Sequence, residues 1–178
     1  KNDMLIAIKE RKAEGQLVKY YAHEKYKEHV KEWDLSGWLP IHWAAEAQCK
    51  PNVFEVLLAG FPEAIKEYTR TTKDSPKPGG DLCLHLLCAG VITADTEKAL
   101  MNKTNEKEGS VADLVKAWPD ATWIRVRGKL PLHLATKAGC PPGGVEALVG
   151  AHPKGCEERE EGEDGHDNLP LHNAVDKK

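Results

Sequence analysis

The phrase Leu39-Pro40-Ile41-His42-Trp43-Ala44-Ala45 returns as Leu130-Pro131-Leu132-His133-Leu134-Ala135 and as Leu169-Pro170-Leu171-His172-Asn173-Ala174, with a weaker copy at Leu82-Cys83-Leu84-His85-Leu86-Leu87. Proline suits the first turn of a helix, where the missing N–H costs no hydrogen bond and φ is already set. Each phrase therefore reads as a helix start. Four starts of one kind within 178 residues point to a repeat architecture before any other fold.

The segments between the starts support that reading. Asp34-Leu35-Ser36-Gly37-Trp38 supplies turn chemistry, with Gly37 free to take positive φ, and the first helix is expected to end near Gln48. A second, antiparallel helix follows over Val53–Ala59 and ends at Gly60, with Asn52 as its expected N-cap. Matching second helices follow at Ser110–Val115 and Gly144–Val149. They close on Phe61-Pro62-Glu63-Ala64, Trp118-Pro119-Asp120-Ala121 and His152-Pro153-Lys154-Gly155. His42 to Pro62 and His133 to Pro153 both span 20 positions, and Pro119 to His133 spans 14, which gives a minimal unit of 34. The excess residues fall in three places: around Thr71–Gly79, between Val91 and Gly109, and in the acidic stretch Glu157–Gly165. Ahead of the first unit, the segment 1–33 reads as a helical pair, near 3–13 and 16–31, serving as a cap or degenerate repeat. Its aromatic neighbourhood, Tyr20, Tyr21, Tyr26, Trp33, Trp38 and Trp43, is either core packing or a partner-binding patch.

A 34-residue unit of turn, helix and antiparallel helix, opening on Asp34-x-x-Gly37-x-Leu39-Pro40-Ile41-His42, resembles the ankyrin repeat. The resemblance implies an all-α, ankyrin-like helix-turn-helix solenoid with insertions and an N-terminal helical pair. Its units fall at about 34–70, 77–124 and 125–160, with a partial one at 164–178. The sequence departs from the family at Leu39, Leu82, Leu130 and Leu169, where threonine is usual, at Cys83 for proline and at Arg125 for aspartate.

The formal net charge of −3, with basic and acidic residues intermixed, gives no footprint for nucleic acid. No apolar run approaches the roughly 20 residues of a membrane helix, so neither nucleic acid nor direct membrane insertion is expected. Five sparse cysteines are expected to be thiols in a reducing, intracellular compartment. In the resembling family His42, His85, His133 and His172 sit one repeat apart and bond the backbone of the neighbouring loop, a structural role shared with Pro40, Pro131 and Pro170. Four ligands spread over stacked units cannot converge on one ion at about 2 Å. Cys83-x-His85-x-x-Cys88 is at most half a zinc site. Neither a catalytic set nor a cofactor site is expected.

Repeat solenoids bind other proteins on an extended concave face, and the ankyrin resemblance implies contacts through turn tips and first helices. Carried over residue by residue, the family's contact positions are Leu35, Ser36, Trp38 and Glu46 in the first unit, Arg127, Lys129 and Lys137 in the third, and Asn168 and Asp176 in the last. Trp38, on an expected exposed turn, is the foremost of these. The expected function is non-enzymatic recognition of a protein partner; the alternative is an accessory subunit of a multiprotein complex, contacting through the N-terminal helices and the insertions.

Overall fold

A computed structural model describes residues 14–74, 79–90, 106–161 and 167–175. The expected helix at 3–13, most of the insertion after Val91 and Asp176 lie outside them. Among the described residues the protein is all-α, with α1 Glu14–Ala22, α2 Pro40–Glu46, α3 Pro51–Gly60, α4 Cys83–Ala89, α5 Glu106–Ala117, α6 Pro131–Ala138, α7 Pro142–Ala151 and α8 Pro170–Val175. Short 3-10 turns at Pro62–Lys66, Pro119–Trp123 and Pro153–Cys156 follow the second helices. Long-range contacts divide the chain into two compact units, Lys1–Leu86 and Leu87–Lys178.

Each start phrase begins a helix, and the histidine explains how this happens without threonine. The N-cap Leu39 has extended backbone (φ −83°, ψ 160°) and no side-chain oxygen. His42, three residues on, folds back so that its Nδ1 accepts the Leu39 N–H at 3.1 Å. Leu130 N–H donates to His133 Nδ1 at 3.2 Å and Leu169 N–H to His172 Nδ1 at 3.3 Å. The imidazole thus satisfies an N-terminal donor that would otherwise be orphaned.

The copies also end alike. The C-caps Phe61 (−150°, 82°), Trp118 (−149°, 84°) and His152 (−138°, 76°) share one conformation, and each precedes proline. After α2, Gln48 takes φ 56°, and after α6 Gly139 takes φ 71°. Cys49 N–H then bonds Ala44 O and Cys140 N–H bonds Ala135 O, at 2.9 and 2.8 Å. Both are left-handed helix ends of the Schellman type, one with glycine and one without.

Packing in the second unit has a repeat signature. First helix α6 contacts first helix α8, second helix α5 contacts second helix α7, and α6 contacts α7 within its own pair. Gly144 faces Val111 in the α5–α7 contact, where a Cβ would stand 3.4 Å from Val111 Cβ, ordinary contact distance, but 2.6 Å from Cys140 Sγ. In the first unit α1 packs on α3, the seat that the second helix of a preceding repeat would take. The expected helix over 16–31 breaks at His23 into α1 and a 3-10 turn, Glu24–Lys31. That turn follows α1 as Pro62–Lys66 follows α3, with Val30 lying over Gly60. Asn52 does not cap α3: Lys50 is the N-cap and Pro51 opens the helix. Proline's fixed φ sets the start two residues earlier, at Pro51.

Candidate partner-binding surface

The turn tips are built by backbone chemistry that repeats. Asp34 organises the first one: Oδ1 accepts Trp38 N–H at 2.9 Å, Oδ2 accepts Trp43 Nε1–H at 2.8 Å, and the backbone oxygen accepts Gly37 N–H at 3.0 Å. Gly37 (φ 75°) then offers its carbonyl to Arg70 N–H at 2.8 Å. In the later copy Gly128 (φ 74°) accepts Glu161 N–H at 2.9 Å. Arg125 stands where Asp34 does and works from the opposite polarity. Its guanidinium donates to the Gly128 and Arg159 carbonyls at 3.0 and 2.8 Å and to Glu158 Oε2 at 2.7 Å.

Each tip is therefore tied to the loop that follows its helical pair, and the histidine makes a second tie. His42 Nε2 lies 2.9 Å from Glu67 O, and His133 Nε2 lies 2.9 Å from Glu158 O, each across 25 residues. Nδ1 already accepts an N–H in both rings, so Nε2 carries the proton and donates it to the carbonyl. Burial drives the His42 pKa down to about 4 against a compensating bond to the Glu67 carbonyl, and burial also lowers that of His133. Both rings are neutral scaffold parts with no nitrogen left to ligate a metal or move a proton. His85 is buried on α4, and His172 is exposed on α8.

Cys83, which replaces the helix-opening proline of the second copy, points its thiol at Ile65 O, 3.7 Å away. Burial pushes its pKa up to about 12, so it serves as an apolar filler carrying a weak donor. Cys88 is likewise buried.

The nominated contact residues separate into three groups. Leu35 is 83% exposed at the tip of a clamped turn, where Thr72 Oγ1–H donates to the Leu35 carbonyl at 2.7 Å. Glu46, Arg127 and Lys137 are exposed, Arg127 in a left-handed conformation (φ 50°), and Ser36 is half-buried. Trp38 is a correction: it is fully buried, 4.4 Å from Trp43, because the Asp34 bonds to its own N–H and to the Trp43 indole turn both rings inward. Tyr21 is buried as well, which assigns Tyr21, Trp38 and Trp43 to the core. Trp33 is half-buried beneath the Arg70 guanidinium, 3.6 Å from the ring centre. Lys129 and Asn168 are occupied internally. Lys129 Nζ lies 3.7 Å from the buried Glu160 carboxylate, while Asn168 bonds Asn173 through its side chain and Glu160 N–H through its carbonyl.

Two exposed aromatics were not anticipated, Tyr68 (45% exposed) and Trp123. Trp123 is 54% exposed and stacks on His152 at 3.8 Å, 14° from parallel. Aligning the units would have singled it out, because the same offset from the closing proline carries Lys66 in the first copy and Glu157 in the third. No helix among the described residues is long and apolar enough to cross a membrane. No protein-family model and no curated protein matches this sequence.

Proposed function

We propose that this chain is a protein-binding module of the ankyrin-repeat type, without catalytic activity of its own, which recognises a partner protein through its turn tips and the ends of its first helices. The observation that carries the reading is Leu35: a large apolar side chain held 83% in solvent on a turn that Asp34, Arg70 and Thr72 make rigid. A rigid, exposed anchor loses little conformational entropy on binding, which is what an interface hot spot requires. Ser36 and Glu46 belong to the same unit as Leu35, and the exposed Arg127 and Lys137 extend the recognition chemistry in the other. Glu46 in the first unit and Arg127 and Lys137 in the second are exposed charges of opposite sign, which suits a mixed protein surface better than a polyanion.

Affinity recovery from native extract, followed by mass spectrometry, tests this. A partner retained by the wild type should be lost from the variant Leu35→Asp, Arg127→Glu, Lys137→Glu, whose helical circular dichroism is expected to be unchanged because all three side chains are exposed. Retention of the same partner by the folded variant would refute the assignment.

A further inference from the structure

A groove of about 690 Å³ lies at the end of the second unit, between α7 and α8. Val145, Val149, Leu171 and Ala174 line it, with Cys156 at one side. Glu146 is the one charged side chain among its described lining residues. Leu171 is 69% exposed.

Internal repetition shows what would fit it. Val145 stands eight residues ahead of its closing proline, as Phe54 and Val111 stand ahead of theirs. Phe54 and Val111 are 1% and 0% exposed, whereas Val145 is only half-buried. In the α5–α7 pair, the residue that comes down beside Val111 is Gly144 of the following second helix, with Leu148 one turn further on and buried. The same surface on α7 therefore continues an interface already present in the fold, and Val145 on it is left only half-buried among the described residues.

We propose that the groove seats an amphipathic helix of about ten residues from a partner protein, lying on α7 as α7 lies on α5. It would present a small residue to Val145, a leucine four positions later, and a basic residue to Glu146. A second copy of this chain fits less well, since pairing the two grooves brings Glu146 towards its own counterpart. The proposal rests on the reading of the chain as a protein-binding module but uses a groove that neither Leu35 nor Arg127 lines, so the two can fail independently.

The probe is a fluorescent, hydrocarbon-stapled peptide copying Pro142–Ala151, stapled at the positions of Glu146 and Gly150 and ended with two lysines. With the full chain it should saturate with a Kd of about 100 μM or tighter and slow the reaction of the exposed Cys156 with Ellman's reagent several-fold. Val149→Glu and, independently, Leu171→Glu should each weaken binding about tenfold or more, equivalent to about 1.4 kcal/mol, while Leu35→Asp leaves it unchanged. Leu171 is largely exposed, so its variant tests the groove even if Val149→Glu unfolds. The proposal is overturned by absence of saturation at about 1 mM peptide, by undiminished binding to Leu171→Glu, or by a wild-type dimer in sedimentation that Leu171→Glu dissolves.

Discussion

Replacing His42 by leucine tests the scaffold assignment where it is most exposed to failure. The ring makes two bonds, accepting Leu39 N–H at 3.1 Å and donating to Glu67 O at 2.9 Å, with its side chain wholly buried. Leucine keeps the volume but strands one donor and one acceptor; at about 1–3 kcal/mol for each buried unsatisfied group, the expected cost near pH 7.5 is about 2–6 kcal/mol. A protein of this size converts that into a drop in Tm of roughly 5–15 °C.

The same residue gives the cost a pH signature. Because burial lowers the folded pKa of His42 to about 4 from the ordinary 6.5, the unfolded chain binds the proton more readily between those values. The stability that His42 contributes is thus full above pH 6.5 and declines as pH falls towards 4, by about 2 kcal/mol already at pH 5. The gap between wild type and His42→Leu should shrink by that amount between pH 7.5 and pH 5 in urea titrations. A gap independent of pH would refute the neutral, buried ring, and a gap that widens in acid would mean that the ring is stabilised as a cation.

Other consequences follow from comparing the copies. Gly128→Ala should cost about 1–3 kcal/mol, because φ 74° is left-handed and a Cβ there would run into the backbone of Glu161; thermal denaturation reads it. Gln48→Gly should raise stability by about 0.5 kcal/mol, since Gly139 fills the equivalent left-handed position without Cβ strain; a loss above about 1 kcal/mol would contradict the equivalence. Trp38→Ala should cost about 3–5 kcal/mol as a core deletion, whereas Leu35→Asp should stay within about 0.5 kcal/mol of wild type. Chemical denaturation compares the two neighbours directly.

Helix starts were legible because their chemistry is local. Proline sets φ, and a histidine three residues past the N-cap reaches back to an orphan N–H without help from the rest of the chain. The antiparallel second helices and their proline-led closing turns were legible for the same reason. What the sequence could not place was the direction of Trp38. Its burial follows from two bonds to Asp34, one of them made through Trp43 on the next helix, and no local pattern encodes that convergence. Lys129 and Asn168 were assigned to the surface by position, yet Glu160, some 31 residues beyond Lys129 in the chain, engages both. Trp123 was hidden by a weak local signal and visible only against Lys66 and Glu157 in the matching places. Departures from threonine and aspartate looked like defects of the repeat; they are replaced by His42 and His133 at the helix starts and by Arg125 at the third tip.

The central claim is that the recurring histidines close the repeat, leaving recognition to the tips and faces around them. Long-range proton–nitrogen NMR of the histidine rings tests it most directly, because it reports which nitrogen of each ring carries the proton. At pH 7.5, His42 and His133 should both appear neutral, with the proton on Nε2 and an accepting Nδ1. A charged or rapidly exchanging ring at either position, or a proton on Nδ1, would contradict the account.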